Sequence, residues 1–293
     1  MKKVTVITSI YKGMEFIQGF MEDIVCQTAF DECEWFLLDG SPDDEYSIIK
    51  PFLTHENIRY EKIDPDPGLY ECWNYMVENS DSPYLTNANI DDRLFPECIE
   101  KHIKALDENL DTDVAYCDNI VTFEPNDSFK NYDEDTPIVV FREGGGLFYK
   151  SNMIAHNYPH NHPMWRRSLH DRFGLFDTQY VSASDYEFWL RCLAEGANDF
   201  FFVPEVLGIY YQNPEGVSTV WDDSEHVQTR TRQEMEIKFR YAEAIAGIDK
   251  QNDVAATIER LVEAGRINEK NFLKLSTAIN SHDENSIFKN VFK

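Results

Sequence analysis

The chain has 293 residues, of which 42% are hydrophobic and 14% aromatic, and its formal net charge is −26. A chain of this size can bury one large core, or a core domain with a smaller appendage. So acidic a surface repels phosphate backbones and anionic membranes, which argues against nucleic acid as a partner, and a phosphorylated ligand would need local help that a divalent metal usually supplies.

The start of the chain and its cysteines indicate a cytoplasmic protein. The apolar run over residues 4–10 is too short for the core of a signal peptide and is typical of a buried strand. No apolar stretch reaches the roughly 20 residues that a membrane span requires. The six cysteines are scattered and form no C-x-x-C pair, which is the pattern of reduced core residues.

Strand-like and helix-like segments alternate at short spacing between residues 4 and 123. The predicted strands are residues 4–10, 34–38, 58–63, 84–86 and 114–123. The predicted helices are residues 15–26, 46–53, 69–79 and 96–110. This alternation predicts a doubly wound, mostly parallel α/β sheet of the Rossmann-like kind.

The pattern changes after residue 123. Residues 124–137 are polar and acidic, and the glycine run at residues 144–146 is typical of a hinge or a close-approach loop. A further helix is predicted at residues 184–195, strands at 200–203 and 208–211, and helices at 227–245, 254–264 and 269–279. The tail is therefore predicted to be a C-terminal helical appendage.

Polar residues follow several of the predicted strands. Right-handed crossovers bring the carboxyl ends of parallel strands to one edge of the sheet, where ligands bind. The chemistry is therefore expected in the segments after the strands, which are residues 9–11, 39–41, 64–68 and 87–92.

One such segment is Asn89-Ile90-Asp91-Asp92. In an extended segment Asn89 and Asp91 point the same way. Two oxygen donors at this spacing suit Mg²⁺ or Mn²⁺, with phosphate oxygens completing the coordination. The alternative is that the two aspartates only lead into the helix predicted from residue 96.

Three further segments carry candidate residues. Asp39, at a strand end, can accept a hydrogen bond from a nucleobase imide or a ribose hydroxyl, or can simply belong to an acidic turn. Asp185 at the start of a helix suits a general base, or can belong to a capping box with Ser182. The segment from His160 to Arg167 is typical of a loop that contacts substrate, although a plain surface loop and a His-x-His metal pair are alternatives.

Taken together, residues 4–217 resemble a family 2 glycosyltransferase, the inverting group with the GT-A fold. Residues 4–11 resemble the opening strand and nucleotide loop, and Asp39 falls on the aspartate that contacts the base. Residues 66–74 resemble the segment near the diphosphate, and residues 89–94 take the place of the D-x-D motif. Residues 162–167, 173–177 and 184–191 follow the acceptor-side order of the family, in which Asp185 falls on the catalytic base.

The resemblance implies a metal-assisted, inverting transfer of a sugar from a nucleoside-diphosphate sugar, a UDP sugar, to a hydroxyl group of a glycan or another acceptor. It implies Asp185 as general base, and Asp91 and Asp92 as ligands of Mn²⁺ or Mg²⁺. The implied nucleotide and donor residues are Thr8, Ser9, Tyr11, Asp39, Gly68, Asn74 and Asn89. The implied acceptor-side residues are His162, Trp165, Arg166 and Trp189.

In this interpretation residues 1–120 form the nucleotide-sugar-binding half of one domain. Residues 121–223 form its acceptor-binding and catalytic-base half, and residues 224–293 are a C-terminal helical extension. The extension is open to three roles: a homodimer contact, docking of a partner, or positioning of the acceptor.

The chain departs from the family pattern at four places. Lys12 stands where the family usually has Asn, Asn89 replaces the first acid of D-x-D, and Ser184 replaces the Glu before the base. Residues 211–213 lack the basic residue or His that the family often has there. Two alternatives therefore stay open: a catalytically inactive nucleotide-sugar or carbohydrate-binding module, and a nucleotidyltransferase, although the latter normally has a glycine-rich basic loop after its first strand.

Overall fold

The first four strands of the computed structural model run parallel, because each of the first three is followed by a crossover that returns the chain to the same end of the sheet. Strands β1 (Val4–Ile10), β2 (Cys33–Asp39), β3 (Ile58–Lys62) and β4 (Tyr84–Asn87) pair in the order β3-β2-β1-β4. The crossovers contain α1 (Ile17–Ile24), α2 (Tyr46–Ile49) and α3 (Leu69–Glu78). The structure describes residues 2–132, 138–139, 150–219 and 225–248.

The rest of the sheet is mixed. Strand β8 (Met164–Arg166) is antiparallel to both β4 and β6 (Thr112–Thr122), and β9 (Asp199–Tyr211) runs parallel to β6. Two-residue strands β5 (Arg93–Leu94) and β7 (Ile138–Val139) pair with β9 and β6. The predicted, mostly parallel α/β fold is thus confirmed. The two strands predicted at 200–203 and 208–211 form one 13-residue strand, whose pairing with β6 is irregular around Asp118.

Hydrophobic cores lie on both faces of the sheet, as the two-residue alternation of a strand requires. On β2, Trp35 and Leu37 join the core under α1 and α4 (Cys98–Glu108), whereas Phe36 and Leu38 join the other core. The second core contains residues of α3, α5 (Ser168–Phe173) and α6 (Ser184–Ala194).

The predicted C-terminal helix is present as α7 (Glu225–Ile248) and packs on α6. Ile237 and Ile245 are fully buried in the second core, and the Tyr241 hydroxyl donates a hydrogen bond to Glu187 of α6. This first part of the tail therefore belongs to the packed body. The helices predicted at 254–264 and 269–279, and the glycines at 144–146, lie outside the described residues. None of the helices in the described ranges is both long and apolar enough to cross a membrane.

Candidate active site

A cleft of about 450 Å³ opens beside the carboxyl ends of β4 and β9. Its walls come from α3, the residues around 155–161, the start of α6, and α7. Asn89 and Asp185, which are nearly a hundred positions apart in sequence, both line this cleft. The structure therefore brings the predicted general base and the first residue of the predicted metal motif to one place.

Asp185 lies in the first turn of α6, with a partly exposed side chain. Its Oδ1 accepts a hydrogen bond from the Tyr70 hydroxyl (2.9 Å), and its Oδ2 accepts one from Asn157 Nδ2 (3.0 Å). Burial raises the pKa of Asp185, while the bonds from Tyr70 and Asn157 oppose that rise. The helix N-cap is Ala183 and has no side-chain cap, so the capping-box alternative for Ser182 is wrong.

The segment after β4 is a turn, not the extended stretch that the spacing of Asn89 and Asp91 suggested. Asp92 is 3% exposed, and it accepts hydrogen bonds from the backbone N–H of Tyr211 (3.0 Å) and from the side-chain amides of Asn89 (3.0 Å) and Asn161 (3.1 Å). Burial, and then the neighbouring charge of Asp91, raise the pKa of Asp92. Asp92 therefore joins the ends of β4 and β9.

Asp91 is the more accessible of the two acids. It is partly exposed, and its Oδ2 accepts a hydrogen bond from Asn213 Nδ2 (3.1 Å), next to Gln212, which lines the cleft. Beneath the turn, the buried Arg93 donates to the carbonyls of Ile90 and Asp92 (2.7 Å each) and pairs with Asp23. The backbone that carries Asp91 is thus held from below.

The predicted nucleotide residues gather at the ends of β1 and β2. Asp39 is fully buried and accepts hydrogen bonds from the Tyr60 hydroxyl (2.7 Å), Lys62 Nζ (3.0 Å) and the backbone N–H of Ser41 (2.8 Å). Thr8 is also buried, Ser9 is partly exposed and Tyr11 is 49% exposed.

Two glycines shape this region. Gly68 has φ +107°, which favours glycine, and starts α3. A Cβ on Gly40 would lie 2.7 Å from Asp66 Oδ1, so only glycine lets the Asp39 turn and the segment before α3 approach each other this closely. The strand-end loops predicted to hold a nucleotide are therefore neighbours in space.

Asn74 lies elsewhere. Its amide donates to the carbonyl of Phe176 and accepts from the N–H of the same residue, both at 2.9 Å. Asn74, which was predicted to contact the sugar donor, therefore holds the backbone of Phe176 in the segment between α5 and α6.

The prediction for the acceptor-side residues is wrong. His162, Trp165 and Trp189 are at most 1% exposed, so none of them can contact an acceptor. Arg166 uses its guanidinium on the carbonyls of Thr112, Leu106 and Asn109. The physical reason is β8, which inserts Met164–Arg166 between two strands and turns Trp165 into the core. Burial also lowers the pKa of His162 to about 3. Because this side chain is 1% exposed, the His-x-His pair does not form an open metal site.

Several cleft residues were missed. Tyr70 and Asn157 hold the predicted base, and Arg230, Glu234 and Lys238 reach the cleft from α7. The four-residue spacing of the last three places them on one face of a helix. That spacing was visible in the sequence, but nothing in it showed which face packs toward the strand ends.

The oxygen ligands available near the cleft could bind a hard cation only if a substrate supplied further ligands. Asn89 lines the cleft and could supply an amide oxygen, and the partly exposed Asp91 of the same turn could supply a carboxylate. Both are ligands that Mg²⁺ and Mn²⁺ accept. Within the described part of the chain, one group of three potential metal ligands is Cys98 and His102 of α4 with Cys117 of β6, and all three are buried and absent from the cleft lining. A cation at the cleft would therefore take further ligands from phosphate or water.

A family model described as Glycosyl transferase family 2 matches residues 5–173. An uncharacterized glycosyltransferase of Methanocaldococcus jannaschii is 25% identical over 68% of this chain and 66% of its own length. A PGL/p-HBAD biosynthesis glycosyltransferase of Mycobacterium tuberculosis is 25% identical over 60% of this chain and 64% of its own length. The matches thus span just under two thirds of each of these two relatives.

A third relative, a teichoic acid poly(glycerol phosphate) polymerase of Staphylococcus epidermidis, is 27% identical over 43% of this chain and 18% of its own length. Among solved structures, S. aureus TarS 1-349 in complex with UDP-GlcNAc has a TM-score of 0.63 at 15% identity, and the match covers 99% of this chain and 90% of that one. Mannosyltransferase PcManGT from Pyrobaculum calidifontis, with GDP-Man and Mn²⁺, has a TM-score of 0.59 at 16% identity, covering 99% and 83%. These likenesses confirm the GT-A-like fold.

Proposed function

The chain belongs to glycosyl transferase family 2, and we propose that it transfers a sugar from a UDP sugar to a hydroxyl group of an acceptor, with inversion at the anomeric carbon. The observation that carries this proposal is the shared cleft, in which Asp185 and the turn containing Asn89 and Asp91 meet at the strand ends. The UDP-GlcNAc complex of TarS, a protein with the same fold, supports the choice of donor.

Asp185 acts as the general base. It removes the proton from the acceptor hydroxyl as that oxygen attacks the anomeric carbon on the face opposite the leaving diphosphate, and one displacement inverts the configuration. Tyr70 and Asn157 hold the carboxylate in place through the two hydrogen bonds described above. Because burial raises its pKa, Asp185 is a stronger base than an exposed aspartate.

The donor lies along the strand ends. Ser9 and Tyr11, the accessible side chains of the loop after β1, hold the nucleoside, and the buried Asp39 fixes the neighbouring turn through its bond from the Ser41 N–H. Gly68 allows the start of α3 to approach the diphosphate. Asp91 and Asn89 would hold Mn²⁺ or Mg²⁺, whose charge would offset the charge that develops on the leaving diphosphate. Asp92, buried beneath them, positions the turn through its three hydrogen bonds.

A thermal-shift panel tests the function. Because a ligand that binds the native state raises the melting temperature, a UDP sugar with Mn²⁺ is expected to stabilise the protein by about 2.7 kcal/mol at 100 times its Kd. GDP sugars, and UDP sugars with EDTA, serve as comparisons. Release of nucleoside diphosphate from the stabilising donor then identifies an enzyme. Stabilisation without release or transfer would identify a binding module, and the absence of any shift would contradict the proposal.

The pH dependence of transfer should report Asp185. Activity is lost as the pH falls through the pKa of this carboxyl, and burial places that limb above the ordinary aspartate value of about 3.9. The substitution Tyr70→Phe removes a hydrogen bond that stabilises the carboxylate, so the acid limb of a kcat–pH profile should move to higher pH.

Tyr75→Phe is the matched control for this shift. Tyr75 lies on the same helix, and its hydroxyl donates to Glu61 instead of to Asp185. An acid limb that is unchanged in Tyr70→Phe, or that moves equally in both variants, would show that the limb does not belong to Asp185.

A further inference from the structure

Helix α7 forms one wall of the cleft and presents Arg230, Glu234 and Lys238 to it. Residues four apart on a helix lie one above the other, so these three form a row. At about 1.5 Å per residue, the row is about 12 Å long from Arg230 to Lys238. One wall of the cleft therefore carries a cation at each end and a carboxylate between them.

Lys238 lines the same cleft as the proposed base, Asp185. Its Nζ is 5.6 Å from the centre of the Tyr186 ring, and Tyr186 directly follows Asp185 in the chain. The ring is held by its hydroxyl, which donates to the carbonyls of Met153 (2.6 Å) and Ile154 (3.0 Å). An ammonium over an aromatic face is stabilised by the ring. Lys238 is partly exposed and lines the cleft that an acceptor must enter to reach Asp185.

Arg230 defines the other end of the row. It is 3% exposed and donates to the carbonyl of Val217 (3.3 Å), which also lines the cleft. Burial raises the pKa of Tyr210 at the end of β9, the charges of Asp92 and Asp91 raise it further, and the charge of Arg230 opposes the rise. Arg230 therefore lies toward the end of the cleft that holds the turn of Asp91 and Asp92. Lys238, not Arg230, is thus the cation on the acceptor side of the cleft.

The net charge of the chain bears on the role of a lysine in the cleft. With a net charge of −26, the molecule repels anions, and local cations must offset that repulsion wherever an anion is to bind. A neutral glycan would need no such cation in the cleft, because uncharged or acidic side chains can bind its hydroxyl groups.

We propose that the acceptor carries a negatively charged group, a phosphate or a carboxylate, near the hydroxyl that is glycosylated, and that Lys238 binds this group. The assignment rests on the proposed function and names its acceptor class. Lysine is a compact point charge that accepts either anion without the fixed geometry of arginine. Glu234 accepts hydrogen bonds from acceptor hydroxyls further along the same wall.

The test measures melting temperature in the presence of UDP and Mn²⁺, with glycerol 3-phosphate and glucuronic acid as anionic probes and glycerol and glucose as their neutral counterparts, all at constant ionic strength. Wild-type protein should be stabilised more by an anionic probe that binds than by the corresponding neutral probe, which is glycerol for glycerol 3-phosphate and glucose for glucuronic acid. In Lys238→Gln the affinity for that probe should fall by roughly 10–100-fold, the usual size of a hydrogen bond to a charged group. The two anionic probes distinguish phosphate from carboxylate.

Arg232→Gln is the matched control, since Arg232 is an exposed cation of the same helix outside the cleft lining. The Arg232→Gln variant should retain the preference for the anionic probe. The Glu234→Gln variant should show a stronger preference, because a neighbouring negative charge is removed. Equal stabilisation by anionic and neutral probes in wild type, or the same loss in Arg232→Gln as in Lys238→Gln, would overturn the assignment. The shift with UDP and Mn²⁺ alone is recorded first, so failure of the donor site is seen separately from failure of the acceptor site.

Discussion

Replacing Asp185 with asparagine is expected to lower kcat for sugar transfer by about 10²–10⁴-fold, the usual size of a general-base effect. The amide keeps the shape of the side chain but cannot take the proton of the acceptor hydroxyl. Affinity for the donor should be unchanged, because the proposed donor contacts come from the strand-end loops and not from α6. Steady-state transfer kinetics, together with calorimetric titration of UDP and Mn²⁺, measure the two quantities separately.

Stability provides an internal control for this variant. The folded pKa of Asp185 is raised, so its contribution to stability is present below the unfolded pKa and is lost as the pH rises through the folded one. At neutral pH the ionised carboxylate therefore costs stability. In Asp185→Asn the amide oxygen can keep the bond from Asn157 while the Tyr70 hydroxyl turns to accept from the new amide nitrogen, so this variant should melt no lower than wild type. Asp171→Asn, at an exposed position of α5, is the matched substitution and should retain full activity. Transfer by Asp185→Asn at a near wild-type rate would refute the base assignment.

Replacing Asp91 with alanine is expected to weaken Mn²⁺-dependent binding of UDP by at least about 10–100-fold, since even groups that only support a metal ligand cost that much when they are removed. The reason is geometric: Asp92 is committed to Asn89, Asn161 and the backbone of Tyr211, which leaves Asp91 as the carboxylate available to a cation. Titration of UDP with Mn²⁺, and again with EDTA, measures the effect, and in EDTA the variant and wild type should bind alike.

Asp92→Asn separates the two neighbouring acids. Its new amide nitrogen would face groups that already donate to the carboxylate, so we expect a lower melting temperature as the main effect. If Asp91→Ala binds UDP and Mn²⁺ as tightly as wild type does, Asp91 is not a metal ligand. The metal role would then pass to another oxygen of the turn.

The parallel half of the fold could be predicted because its signals are local. A strand buried on both faces appears as a continuous apolar run, as in residues 4–10, and a strong turn at Asp39 and Gly40 marks where the next one ends. The rule that parallel strands deliver their carboxyl ends to one edge of the sheet then predicts the position of Asn89 at the cleft.

Short strands and buried polar residues could not be predicted in this way. The three residues of β8 show no periodicity, so Trp165 and Arg166 had the appearance of a binding loop when they in fact form the middle of a sheet. The same limit applied to Asp91 and Asp92. Adjacent in sequence and identical in chemistry, they differ only because Asn161 and the backbone of Tyr211 come from distant parts of the chain to bond with one of them.

By itself, the sequence determined the class of fold, the order of its main elements and the identity of Asp185 as the residue to test, because periodicity, turn chemistry and motif order are properties of neighbouring residues. Only the tertiary structure decided which acid of the turn is accessible and which residues hold the base. It also decided that α7 forms one wall of the cleft, which Lys238 lines. Those outcomes depend on contacts between segments tens to more than a hundred residues apart. Such contacts form by packing of whole surfaces, and no local pattern of residues encodes them.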